Sequence, residues 1–150
     1  MRSALAAQGL EHVEVREFAE STATAAAAAA AIGTTVERIV KSLVFMAADE
    51  PILVLTSGVN RVDVQKVGLL VGLPVKRASA DQVRQLTGFA IGGVPPVGHT
   101  QSITTCVDRS LLEFDEVWAA AGTPNSVFAI DPRELVRITG GRIEDVAQSG

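Results

Sequence analysis

Three places in the chain set reactive or hydrogen-bonding groups against a largely apolar background. Lys41 stands between Val40 and the run Ser42-Leu43-Val44-Phe45. An ammonium entering an apolar strand is costly unless it reaches water or serves an anionic partner. Lys41 therefore reads either as a side chain snorkelling from a strand edge or as a cation held in a cleft. The second place is Gly88-Phe89-Ala90-Ile91-Gly92-Gly93-Val94-Pro95-Pro96-Val97-Gly98-His99. Adjacent glycines let backbone amides approach a ligand closely, and two amides can hold the oxyanion of a tetrahedral ester intermediate. The plainer alternative is a turn stiffened by its prolines. The third place is Asn125, after Gly122-Thr123-Pro124. Asn there is a turn former, or a hydrogen-bond partner for substrate or water. His99 is a general base by type, with nothing local to orient it. Cys106 reads as a small core residue, and His12 as a surface strand residue. Arg61, Asp63 and Lys66 either line the mouth of a cleft or belong to a solvated helix start.

The elements that must position these groups follow from periodicity and punctuation. A short helix is expected over residues 2–9, ending at Gly9, then a strand over 13–18 with one buried face. The Ala-rich stretch 25–31 is a helix capped by Ser21 or Thr22 and stopped at Gly33. Thr34 or Thr35 opens a short helix through Val40. Runs 42–47 and 52–56, separated by Ala48-Asp49-Glu50-Pro51, read as an antiparallel hairpin. Asp63 caps a helix with Val64, Val67, Leu70 and Val71 on one face, ended by Gly72. A short strand over 75–78 follows. Ser79 caps a helix through Thr87, with Val83 and Leu86 inward. The irregular stretch 88–98 is long enough to be functional. Strands are expected over 103–107, 116–120 and 126–130. Asp131 caps a last helix, with Pro132 in its first position and Gly140-Gly141 closing it. The tail beyond Asp145 reads as loose. Without a regular strand–helix alternation, the expected fold class is α+β: one domain over residues 1–150, with a curved mixed sheet of six or seven strands ringed by helices.

The bulk composition bounds the function. A chain of 150 residues makes one ordinary domain. No apolar run approaches the roughly 20 residues that cross a bilayer, and the start lacks a signal-peptide layout. The expectation is a soluble, cytoplasmic protein with no membrane partner. One cysteine forbids an intrachain disulfide, and one cysteine with two distant histidines makes no zinc spacing. No metal and no cofactor is expected. The net charge of −4, from 13 basic and 17 acidic residues, argues against a protein that grips long nucleic acid. It leaves room for one that handles the last nucleotide or two of an RNA. There is no Gly-x-Ser-x-Gly elbow and no phosphate loop ending in Gly-Lys-Ser/Thr. With no Tyr and one Trp, a broad stacking platform for bases is absent.

Taken together, the segments resemble the YbaK family of aminoacyl-tRNA deacylases. That family includes ProX-type proteins and the editing insertion of bacterial prolyl-tRNA synthetases. Lys41-Ser42-Leu43-Val44-Phe45 is similar to the family's Lys-Thr-Leu segment. The strand 51–57 followed by Asn60-Arg61-Val62-Asp63 fits as well, and Thr87 to Gly98 resembles its glycine–proline loop. The Gly122–Asn125 turn and Glu134-Leu135-Val136-Arg137-Ile138-Thr139-Gly140 complete a likeness spanning roughly residues 20–140. Position 42 is Ser where Thr or Asn is common, which changes pocket size and hydrogen bonding. Residue 95 is Pro where relatives carry Ser, which removes a hydroxyl donor.

The resemblance implies an editing pocket beside Lys41. Lys41, Gly92 and Gly93 would be the catalytic groups, and Ser42, Ile91, Val94, Pro95 and Asn125 would contact the substrate. The implied partners are the 3′ aminoacyl end of a mischarged tRNA, with tRNA-Pro foremost, and prolyl-tRNA synthetase. The expected activity is trans-editing hydrolysis of the aminoacyl ester of a small residue such as Cys, Ala, Ser or Thr. The alternative is a module that binds aminoacyl-tRNA or a synthetase without cleaving anything.

Overall fold

The computed structural model describes residues 13–148. The helix expected over 2–9, with Gly9 and His12, lies outside the described residues. Within them, strands and helices follow in the order β1 (Val15–Glu17), α1 (Ala25–Ile32), β2 (Val40–Ala47), β3 (Glu50–Ser57), α2 (Val64–Val71), β4 (Val75–Arg77), α3 (Ala80–Thr87), β5 (Thr104–Asp108), β6 (Val117–Ala120), β7 (Ser126–Ile130), α4 (Pro132–Thr139) and β8 (Arg142–Glu144). Single 3-10 turns at Val36–Arg38 and Arg109–Glu113 lead into β2 and out of β5.

The helices start and stop where local chemistry directs. Asp63, Ser79 and Asp131 accept from the first-turn amides of α2, α3 and α4, and Ser79 forms a full capping box with Gln82. Gly33, Gly72, Gly88 and Gly140 end the four helices. The cap of α1 is Thr24, whose side chain accepts from the Ala27 amide, and not Ser21 or Thr22. Those two hydroxyls are drawn instead to the Pro124 carbonyl, each at 3.3 Å.

The α+β class is as expected, but the strands divide between two sheets. One is three-stranded in the order β1-β7-β6. The other is five-stranded in the order β4-β2-β3-β5-β8. The second sheet is mixed: β2 pairs antiparallel with β3 and β4, while β3–β5 and β5–β8 are parallel. A lone parallel bridge, Ile39 to Trp118, joins the sheets. The single curved sheet anticipated from the sequence is thus interrupted between β2 and β6.

The hairpin is longer than its apolar runs, because Val40 pairs Ser57 and Ala47 pairs Glu50. Pro51 is accommodated opposite Met46, one residue before β5 begins to pair at Ile52, so its missing N–H interrupts no ladder. The five-stranded sheet is buried on both faces. Val40, Val44, Leu53, Leu55 and Val107 face the three-stranded sheet and its Phe128 and Val117. Phe45, Val54 and Cys106 face α2 and Val146. Among the described residues no helix is long and apolar enough to cross a membrane.

Residues 146–148 are held, contrary to the loose tail expected beyond Asp145. Val146 is fully buried, and its carbonyl accepts from the Asp63 amide at 2.7 Å. The Gln148 amide donates to Arg61 at 2.8 Å, and the Lys66 ammonium reaches both Asp145 and the Ala147 carbonyl. This stitching fixes the start of α2 and the loop before it, which supports the candidate site. Val146→Ala should lower stability by about 1–3 kcal/mol, read as a shifted midpoint in urea denaturation. An unchanged midpoint would mean that the tail does not belong to the core.

Candidate active site

The strand β2 dominates the site. One of its edges is paired along its whole length by β3. The other is paired by β4 only over Phe45–Ala47, with one further bond from the Ala78 amide to the Val44 carbonyl at 3.0 Å. At the far end Ile39 bridges to β6. A cleft of about 300 Å³ opens along the stretch between. It wraps the strand's edge rather than one face, so Val40, Lys41, Ser42, Leu43 and Val44 all line it. Arg77 and Ala78 close one end, and Trp118, Ala119 and Ala120 the other. Ala23, Ala28, Val83, Val94 and Gly92 complete walls that are mostly small and apolar.

Alternation along β2 sends neighbouring side chains to opposite faces. The Ser42 side chain shares a face with Val40 and Val44. Its hydroxyl oxygen is buried with no hydrogen-bond partner among the described residues. A buried hydroxyl left in that state costs about 1–3 kcal/mol. The Lys41 side chain takes the other face, beside its cross-strand neighbour Thr56. Its ammonium is half-buried and donates to the Asn60 carbonyl at 2.6 Å. Burial lowers the Lys41 pKa from the ordinary lysine value, and the charges of Arg61 and Arg77 lower it further, while Asp108 opposes them.

Asp108, at the end of β5, organises this corner and drew no attention in the sequence. One carboxylate oxygen accepts from Thr56 Oγ1 at 2.7 Å, the Ser57 amide at 3.1 Å and Asn60 Nδ2 at 2.8 Å. The other accepts from the Ser110 amide at 3.0 Å. Burial alone would push its pKa up. The bonds from Asn60, Ser110, Thr56 and Ser57 outweigh burial and hold it below the usual carboxylate range. Asn60 thus links the Asp108 carboxylate to the Lys41 ammonium through its side chain and its carbonyl. The available signal was an acidic residue at the end of an apolar strand, where an unpaired charge is costly.

The glycine loop meets β2 through Gly92. Residues 90–93 form a turn closed by the Gly93 amide on the Ala90 carbonyl at 3.0 Å, with Gly92 left-handed at φ 88°. The Gly93 amide is therefore engaged inside the turn, and Gly92 is the glycine of the pair that lines the cleft. A Cβ on Gly92 would stand 2.8 Å from the Cβ of Ala23, and one on Gly93 2.9 Å from the Thr123 backbone. The loop can pack this closely only without side chains at these two positions.

Of the residues singled out from the sequence, Lys41, Ser42, Ile91, Gly92 and Val94 line one cleft. Gly93, Pro95 and Asn125 are not among its lining residues. Pro95 is buried in the loop, and its carbonyl accepts from His99 Nε2 at 2.6 Å. His99 is a loop staple whose pKa burial lowers, the Pro95 bond opposing. Asn125 exchanges bonds with Phe18: its amide side chain donates to the Phe18 carbonyl at 2.8 Å, and its own carbonyl accepts from the Phe18 amide at 2.9 Å.

The depressed Asp108 pKa stabilises the fold above the ordinary carboxylate pKa, and that stability is lost as pH falls through the folded value. Asp108→Asn should cost about 2–3 kcal/mol at neutral pH and flatten the loss of stability below about pH 4. Urea denaturation at several pH values measures both. An unaltered acid limb would show that Asp108 is not the group responsible.

Comparison with known proteins bears on the family and the fold. The family model for the aminoacyl-tRNA editing domain matches residues 19–138. The uncharacterized protein YwhH of Bacillus subtilis is 34% identical over 131 residues, covering 87% of this chain and 83% of YwhH. A proline–tRNA ligase of Lactobacillus gasseri is 40% identical over 62 residues, which is 41% of this chain but 11% of the ligase. A solved structure described as a "putative trans-editing enzyme for prolyl tRNA synthetase" superposes with a TM-score of 0.94 at 47% identity, covering 99% of this chain and 94% of that one. The hypothetical protein APE2540 superposes with a TM-score of 0.92 at 35% identity, covering 98% of each. With most of its length inside the family model and its fold shared along nearly the whole chain, this protein belongs to the aminoacyl-tRNA editing domain family.

Proposed function

We propose that the protein hydrolyses the ester joining a small amino acid to the 3′ ribose of a mischarged tRNA, acting in trans on tRNA-Pro. The observation that carries this reading is that Lys41 and Gly92, from motifs distant in sequence, line the same small apolar cleft. Family membership gives the substrate class. The likeness to the structure described as a "putative trans-editing enzyme for prolyl tRNA synthetase" favours tRNA-Pro. Cleft walls of Val40, Val44, Val83, Val94 and Ala28 favour a small side chain such as that of Cys, Ala, Ser or Thr.

In this mechanism water adds to the ester carbonyl carbon and its proton is released. The tetrahedral oxyanion collapses, the bond to the ribose oxygen breaks, and the ribose leaves as a hydroxyl with a proton taken up. The Gly92 amide stabilises the oxyanion, and Lys41, flanked by Arg61 and Arg77, receives the negatively charged terminal nucleotide. With a net charge of −4, the isolated protein binds tRNA weakly, so prolyl-tRNA synthetase alongside supplies tRNA identity. A module that binds aminoacyl-tRNA without cleaving it would release no amino acid.

The test is a deacylation screen over tRNAs mischarged with Cys, Ala, Ser or Thr, following free amino acid. Lys41→Ala should lower kcat/KM by about 100-fold or more while leaving thermal unfolding in place. Because burial and two arginines lower the Lys41 pKa, the alkaline decline in rate should begin below the ordinary lysine value of about 10.4. Near-normal turnover by Lys41→Ala would sink the mechanism.

A further inference from the structure

We infer that the aminoacyl group docks as a one-residue β-strand in the gap that β4 and β6 leave along β2, bound by the main-chain N–H and C=O of Ser42. The inference rests on the function proposed above and adds the group that binds the reacting carbonyl. In a strand, the N–H and C=O of residues two apart point to the same edge. The Val44 carbonyl points to the β4 edge, where it meets the Ala78 amide. The Ser42 N–H and C=O therefore face that edge as well, while those of Lys41 and Leu43 face β3. At Ser42 no bridge closes the edge, because β4 pairs no further than Phe45 and the bridge to β6, which runs alongside, is at Ile39. The cleft occupies that gap, bounded by β2, the end of β4 and β6.

Two main-chain groups facing an edge with no bridge at their position, beside a buried hydroxyl that is itself unpartnered, leave a place for one more rung. What completes it is defined by antiparallel pairing. A residue opposite Ser42 in a hydrogen-bonded pair donates from its own nitrogen to the Ser42 carbonyl and accepts the Ser42 N–H on its own carbonyl. An α-amino ester carries those two groups on one residue: an ammonium donor and the ester carbonyl. In this pose the Ser42 N–H lies on the oxygen that becomes the oxyanion. The amino-acid side chain falls on the same face as the Ser42 hydroxyl, between Val40 and Val44. The ligand class is a small amino acid esterified at its carboxyl with its α-amino group free; an N-acylated residue loses the charged donor and gains bulk where β2 is closest.

Two measurements on the intact wild-type chain test this. The first compares kcat/KM for alanyl-, N-acetylalanyl- and propionyl-tRNA, each rate divided by its spontaneous hydrolysis. The alanyl ester should exceed both others by about tenfold or more, the scale of one hydrogen bond to a charged donor. Equal normalised rates would overturn the inference. The second needs no turnover: 15N-labelled protein is titrated with 3′-alanylamino-3′-deoxyadenosine and with its propionyl counterpart. The Ser42 amide resonance should move downfield with the alanyl compound and become protected from hydrogen exchange, and less so with the propionyl one. An unperturbed Ser42 amide overturns the inference, whether or not any tRNA is deacylated. A perturbed Ser42 with no deacylation in any screen upholds this binding mode and overturns hydrolysis instead.

Discussion

Main-chain hydrogen bonding along β2 is the constraint from which the rest of the site follows. One edge is closed by β3 at every position. The other is divided between β4 and a single bridge to β6. The two partners diverge along this edge, and the break between them falls at Ser42. The cleft, its small walls and the approach of the glycine loop are arranged around that break. The three-stranded sheet reaches the five-stranded one at its far side and packs over the same core. The packing of the two sheets thus fixes the width of the opening.

The second organising feature is electrostatic. A carboxylate at the end of a buried parallel strand is expensive unless its oxygens are filled. Asp108 gathers four donors from β3, from the loop after it and from its own following turn. That ties the ends of β3 and β5 to Asn60, whose carbonyl then receives the Lys41 ammonium. The cation is fixed by a chain of ordinary hydrogen bonds and not by direct pairing with an acid. Its charge therefore stays available to a ligand, and its proton is held less tightly than on a free lysine.

The parts legible in the sequence were those written in local chemistry. Asp63, Ser79 and Asp131 were identifiable as caps because a cap bonds amides two or three residues away. The hairpin was identifiable because two apolar runs flank a short polar break. Lys41 stood out because charge in an apolar strand is rare. The features that were not legible depend on distant partners. Whether β6 continues the sheet or starts another is decided by β1 and β7, not by its own four residues. The strand β8 and the tail after it look unremarkable until β5, Asp63 and Arg61 pair with them. Thr24 displaced Ser21 and Thr22 as a cap because those hydroxyls answer to Pro124, about a hundred residues away. The Gly92-Gly93 pair looked symmetrical, yet the turn engages one amide and leaves the other residue at the cleft.

The position of Cys106 has a practical corollary. Its thiol is 1% exposed, between β3 and β8 in the sheet's parallel portion. Burial pushes its pKa up, only partly offset by Arg142, so the reactive thiolate is scarce. As the chain's lone sulfhydryl, it is a built-in clock for native-state opening: an alkylating reagent reaches it only when the cover of α2 and Val146 lifts from the sheet. The rate of its modification therefore reports how often that cover opens, without any added label.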